Sequence, residues 1–438
     1  MRIVLLIILL FVIFSILWKS RGSFSGKFIL MFAGVWFLDL FLVAVDASQV
    51  GGVRFAVFGL VLASVLAFII AFRLVRKQEV DAEYSHSCID KRIDALFSFK
   101  IINLAYIILL GYIVMNLMFA LPILLAAGNL GGGLRVDALT GNLYSPLFYL
   151  VNVYVLAPVY NITLPLMAYL FINGKHKFSF VITLLYCILY PSLFGSRMSF
   201  IVMGFIIILC YLWVKNCKGN YIRKGFNKFV TIMVSGIVAL FTIMSILKSG
   251  DITNAEQSFQ DLKDDLITQP VEYFSCPVKA FEYAFDHNYH QRMGGYMHGR
   301  ATLAALDYYV NPILNSLSGL RNPNANSVIG HIIQDEWISF SLEVDSWNAL
   351  YTALLHFYLD FGWIGCLLFS FLFGLIASKT CNSLERSGSV PVFVFSFFVM
   401  IKCIMSVISF FPVGGDVLPF IVYVVVWRTL EKMQMRRC

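Results

Sequence analysis

Tyr296-Met297-His298-Gly299-Arg300 sets an imidazole two residues from a guanidinium. Imidazoles titrate near neutral pH and can take a proton from a hydroxyl, whereas a guanidinium keeps its charge and offers a fork of donors to phosphate or carboxylate oxygens. Together they can accept a proton and hold an anionic oxygen. Gly195-Ser196-Arg197 places a second arginine on a short turn between two apolar runs. Glycine permits the reversal, and the arginine reads either as a charge stabiliser or as an anchor to lipid headgroups. Glu343-Val344-Asp345 supplies two carboxylates that could replace His298 as base, and Arg135, Arg292 and Arg321 are further cations able to hold an anionic group. Metal chemistry is not expected. Asp264-Asp265 reads as an exposed helix face, the Glu343/Asp345 pair stands alone, and His287 and His290 lack a third ligand.

Most of these residues fall between Lys248 and Ser346, a largely polar segment bracketed by long apolar runs and holding His287, His290, His298 and His331 of the chain's 7 histidines. The chain as a whole is 59% hydrophobic and only 13% charged, too apolar to be absorbed by a soluble core. The surplus must face lipid, and a helix needs about 20 apolar residues to cross about 30 Å of hydrocarbon. Eleven runs qualify, near 3–18, 28–45, 55–72, 102–126, 147–172, 178–194, 199–214, 229–247, 347–376, 391–411 and 416–428. The expected fold is an all-α polytopic membrane protein with about eleven transmembrane helices and one large extracytoplasmic loop. Its parts are a bundle over 1–247, the loop over 248–346 and a second bundle over 347–438. The first run lacks a small-residue cleavage pattern, so it is expected to be retained.

Lys and Arg orient the bundle, because they accumulate on the cytoplasmic side of short connections. Most of the 33 lie in alternate connections, around 19–27, 73–100, 175–177, 215–228, 379–386 and 428–437. The amino terminus and the polar segment are therefore expected to face outward and the carboxyl terminus to face the cytoplasm. The net charge of +8 is a topology signal spread over many connections, so nucleic acid is not an expected partner. Only Cys276 of the 9 cysteines falls in the polar segment, which excludes a disulfide within it and leaves packing on the bundle to hold it.

Asp39 and Lys402 interrupt apolar runs at similar depth, where a charge costs ~2.5–3.5 kcal/mol on insertion scales; either they pair, or Lys402 snorkels while Asp39 is protonated or bonded to a neighbouring helix. Pro122, Pro158 and Pro165 predict kinks in their spans. Where the polar segment returns to the membrane the chain reads Asn348-Ala349-Leu350-Tyr351-Thr352, then Tyr358-Leu359-Asp360-Phe361-Gly362-Trp363-Ile364-Gly365. Gly362, Gly365 and Gly374 would let a neighbouring helix approach, and His356 and Asp360 need polar partners within a span.

The Gly-Ser-Arg turn, the Gly299-Arg300-Ala301-Thr302-Leu303 stretch within a large outer loop, and the Asn-x-x-Tyr-Thr…Tyr-x-Asp-Phe-Gly-x-x-Gly return together resemble the Wzy-type O-antigen and oligosaccharide repeat-unit polymerases, whose architecture is similar to GT-C-like polymerases and ligases. The resemblance implies an inner-membrane glycosyltransferase of lipopolysaccharide biosynthesis, independent of metal or other cofactor. It would move a growing glycan from one undecaprenyl pyrophosphate carrier to a repeat unit on another. Arg197, His298, Arg300, Glu343 and Asp345 would be catalytic. Arg135, Arg292, Arg321, Tyr351 and Asp360 would hold pyrophosphate or glycan. The implied partners are undecaprenyl-pyrophosphate-linked oligosaccharides, membrane lipid and a chain-length regulator protein. The rival readings are an O-antigen ligase, which shares a long outer loop, and a lipid-linked oligosaccharide flippase or other transporter, although no internal repeat is evident.

Overall fold

The computed structural model describes residues 14, 18, 22–47, 51–75, 82–126, 143–194, 196, 198–218, 269–319, 322–335, 351–409 and 414–435. These are 84% helical, with no strand among them. Among the described residues six helices are long and apolar enough to cross a membrane, as in a multi-pass membrane protein. They are α1 (Phe24–Ala44), α2 (Phe55–Leu74), α4 (Lys100–Ala126), the continuous run of α5 (Pro146–Val151) and α6 (Ala157–Asn173), α8 (Met198–Lys218) and α13 (Leu354–Ser387). Two expected spans, α7 (Lys177–Ser192) and α14 (Val390–Met405), are apolar but have only 16 residues each, about 24 Å at ~1.5 Å per residue. The last is α15 (Val417–Met435). The run at 229–247, and that at 3–18 apart from residues 14 and 18, lie outside the described residues.

Packing divides the chain into two compact units that do not follow sequence order. One comprises Met1–Glu79, Thr268–Asn382 and Lys402–Leu418; the other comprises Val80–Ile267, Ser383–Ile401 and Pro419–Cys438.

In the first unit, Ser23 caps α1 by accepting from the Gly26 amide, and Phe28, Phe32 and Trp36 repeat along one helix face. Phe32 stacks on Phe68 of α2 at 3.9 Å between ring centroids, and Phe28 meets Phe72. Between lipid-embedded helices such contacts are favoured by close packing rather than by water exclusion. Gly374 of α13 abuts the Phe68 carbonyl and Ala71 of α2 so closely that a Cβ would overlap them. Helix α9 (Gln269–Asp286), the first described element of the polar segment, packs on α1. Buried Glu282 accepts from the Arg54 amide and guanidinium and from Lys279, and Arg54 also pairs with Asp286.

In the second unit, α8 and α7 pack on α6, and Trp213 sits fully buried against Tyr169 and Phe393. The kink expected at Pro158 takes the form of a π turn over Asn152–Leu156. Proline cannot donate to the carbonyl four residues back, that of Tyr154, and Tyr423 donates to it instead at 2.5 Å. Tyr186 donates to the Leu156 carbonyl at 2.9 Å, so tyrosines from other helices satisfy the disrupted ladder.

Sequence reading missed α3 (Ala82–Ser98), although His86, Ile89, Ile93 and Phe97 recur at helical spacing and are buried. Its charged side meets Lys175, which donates to Asp90 at 2.9 Å and Asp94 at 2.6 Å, while Arg92 reaches Glu431 at 2.7 Å. Connections that the charge pattern assigns to one side thus meet within each unit. Residues 82–98 join 175 and 431 in one, and Arg54 joins α9 in the other.

Asp39 and Lys402 do not pair. Asp39 is fully buried with neither carboxylate oxygen hydrogen-bonded, whereas Lys402 lines a small cavity with Phe32, Trp36, Ser64 and Ser406 and feels the field of Asp416. Similar depth in two helices does not fix rotation about their axes, and rotation decides which side chains meet.

Gly374→Ala is expected to force α2 and α13 apart and destabilise the fold by about 1–3 kcal/mol. A fall in the thermal unfolding midpoint of the detergent-solubilised protein would show it, and an unchanged midpoint would mean that the contact yields freely.

Candidate functional site

The α13 helix is two helices in series. At Phe361 (φ −146°, ψ 25°) and Gly362 (φ 64°, ψ −149°) the backbone leaves helical geometry, and the second of these conformations is accessible almost only to glycine. Tyr296 packs where a Cβ on Gly362 would stand, 2.9 Å from its hydroxyl, so a side chain there meets both strain and a clash. Gly365 instead lies against the Phe357 carbonyl of the turn before the break. Of the three glycines expected to admit a neighbouring helix, Gly374 does so, and the other two shape α13 itself.

Asp360, the last residue before the break, is fully buried. One oxygen accepts from the Ala301 amide at 2.9 Å and the other from Thr302 at 2.7 Å. The Met297 amide donates to the Leu359 carbonyl at 2.9 Å. Residues 297–302 are therefore clamped to the end of a membrane helix. The two amides lie in the turn that leads into α11 (Ala304–Ser318), ahead of its first residue, so the carboxylate fixes the entry to that helix from a distant part of the sequence. Charge-assisted bonds of this kind are about twice as strong as neutral ones. They hold His298 at φ 52° and Gly299 at φ 96°; the first is uncommon for a residue with a side chain.

The clamped stretch forms one end of an open groove of about 650 Å3. His298, Arg300, Asp307, Asn311, Asn315 and Asn322 give it a polar wall, and Leu303, Leu306, Val310, Leu314 and Leu317 an apolar one. His298 is exposed and meets Phe361 edge to face at 5.8 Å. Arg300 is committed in part: its guanidinium forks onto Asp307 at 2.8 and 3.3 Å and donates to the Pro323 carbonyl at 2.8 Å. Asp307 also accepts from the Ala325 amide at 2.6 Å, which fixes the start of α12 (Ala325–Asp335). Asn311 and Asn315 both donate to the Asn322 carbonyl at 2.7 Å. The polar wall is thus a cross-linked surface, and 40% of the Arg300 side chain is still open to solvent.

Among the sequence candidates, the groove brings together His298 and Arg300, with Asp360 beneath them. With both oxygens occupied and no exposure, Asp360 positions the backbone rather than touching a ligand. Arg292, on the short helix α10 (Tyr289–Arg292), lies over the Tyr289 ring at 5.2 Å and is not part of the groove wall. Tyr351 is buried ahead of α13, near the point where the Ala353 amide donates to Ser406. Arg135, Arg197, Arg321, Glu343 and Asp345 lie outside the described residues. His287 stacks on Tyr283, and His290 stacks on Tyr296 at 4.6 Å while bonding Tyr358, so both serve packing. Asp307, Asn311 and Asn315 were missed, although their spacing of four marks one polar helix face.

Searches against protein-family models, curated proteins and solved structures each returned no match for this chain.

Asp360→Asn leaves one acceptor for two buried amides and turns an NH2 group toward the other. An unsatisfied buried donor costs about 1–3 kcal/mol, and the expected result is a lowered unfolding midpoint with faster proteolysis between 297 and 303. Wild-type behaviour in both assays would show that the amides have other partners.

Proposed function

We propose that this chain is an O-antigen or related surface-polysaccharide polymerase, a membrane glycosyltransferase of the bacterial inner membrane whose polar segment faces the periplasm. The observation that carries the reading is the groove. A basic and imidazole-bearing end, clamped to the break of a membrane helix, is continuous with an apolar wall. That is a shape for an amphiphile with an anionic head. The quoted motifs, which resemble the repeat-unit polymerases, coincide with this place: Gly299-Arg300-Ala301-Thr302 is the clamped stretch and Tyr358-x-Asp360-Phe361-Gly362 the clamp.

In the reaction, the bond between the anomeric carbon of the growing glycan and its undecaprenyl pyrophosphate breaks. A bond to the hydroxyl at the non-reducing end of a second lipid-linked repeat unit forms. The hydroxyl proton passes to a base and the pyrophosphate leaves as an anion. His298 is the leading base because its ring is exposed in the groove; Glu343 and Asp345 are the alternatives. The charge of Arg300 is matched by Asp307, so the departing charge needs a further cation, the role assigned to Arg197. No metal is invoked, since guanidinium groups can supply the charge.

Deletion of the gene in its host, with complementation, tests the reading. A polymerase deletion leaves outer-membrane lipid carrying single repeat units. A ligase deletion leaves none, and a transporter deletion traps lipid-linked units inside; either result would displace the polymerase reading. In the complemented strain His298→Ala is expected to cost about 10²–10⁴-fold in polymer at normal protein level. A normal ladder would move the base to the carboxylates.

A further inference from the structure

Helix α11 carries an apolar stripe that no other described element covers. Leu303, Leu306, Val310, Ile313 and Leu317 recur at alternating spacings of three and four, and all are exposed, Ile313 to 60% and Leu317 to 80%. The stripe runs for about 21 Å at ~1.5 Å per residue. Away from the stripe Ala304, Ala305 and Asn311 are buried, and beside it Tyr309 anchors the helix by donating to the Gly415 carbonyl at 2.6 Å. The helix has a single carboxylate, Asp307, already matched by Arg300. No uncompensated charge on this helix would oppose burial of the stripe.

We propose that α11 lies in the membrane–water interface with this stripe among the lipid acyl chains. Continuity with a lipid-facing surface argues for lipid as the occupant. The Asp360 clamp ties the start of α11 to the α13 break. Immediately beyond the break Trp363 and Ile364 are exposed, followed one turn apart by Leu368, Leu372 and Ile376 along a membrane-spanning helix. Exposed Phe361 and His298, in contact with each other, bridge the two stripes. Tryptophan at that junction is the residue enriched at headgroup level. An amphipathic helix tethered there, apolar on one side and polar on the other, has the form of an interfacial helix. The placement also turns the His298 and Arg300 end of the groove toward the headgroup layer. It holds whatever reaction the groove carries out.

The test uses full-length protein in lipid nanodiscs, with Cys88→Ser and Cys438→Ser to limit background labelling. A spin label is placed at Leu306→Cys, Ile313→Cys or Leu317→Cys, and at Ser316→Cys, an exposed position off the stripe, as control. The proposal predicts several-fold greater relaxation by oxygen than by a water-soluble nickel chelate at the three stripe positions, and the reverse at Ser316→Cys. Chelate access along the stripe would overturn it by showing open water. Low access to both reagents would overturn it by showing protein cover, and spin–spin broadening would identify that cover as a second copy of the chain.

Discussion

Two backbone amides, those of Ala301 and Thr302, meet one buried carboxylate, Asp360, and the placing of the groove's His298 and Arg300 end follows from that contact. A carboxyl group with no exposure in a membrane protein is costly unless its oxygens are occupied, and here each has a donor at 2.9 Å or less. The clamp couples a break in α13 to the start of α11, so a deformation of one is felt by the other. Gly362 makes the break possible, Tyr296 fills the space a side chain would need, and the Met297–Leu359 hydrogen bond sets the register. His298 owes its left-handed conformation to this arrangement.

A second layer of constraint sits on top of the first. Arg300 and Asp307 bind each other, the Pro323 carbonyl and the Ala325 amide, and Asn311 and Asn315 hold Asn322. Short polar side chains at spacings of four build one wall of the groove, while leucines from the adjacent face of the same helix build the other. One amphipathic helix thus supplies both a polar and an apolar wall.

Helix positions were legible because an apolar run of about 20 residues has few alternatives in lipid, and α1, α2, α6 and α8 lie close to where hydropathy places them. Breaks within helices were legible only in part. Pro158 announced a disruption, but the π turn and the tyrosines that satisfy it come from packing. The Asp360 motif drew attention as chemistry, and its role in holding backbone depends on a partner some 60 residues away that no local pattern encodes. The Asp39–Lys402 pairing failed for the same reason: depth is a one-dimensional property, and rotation about a helix axis is fixed by neighbours. Grouping of connections by charge fared better, because alternation along a threaded chain is itself one-dimensional.

The central claim is that Asp360 holds the two amides and thereby the site. Hydrogen exchange of the peptide spanning Met297 to Leu303, followed by mass spectrometry on full-length protein in nanodiscs, reads those amides directly. The account predicts slow exchange in the wild type and acceleration of two amides by at least ~10-fold in Asp360→Ala, equivalent to ~1.4 kcal/mol of lost protection, with α1 and α2 unchanged. Fast exchange in the wild type, or identical rates in the two proteins, would contradict it.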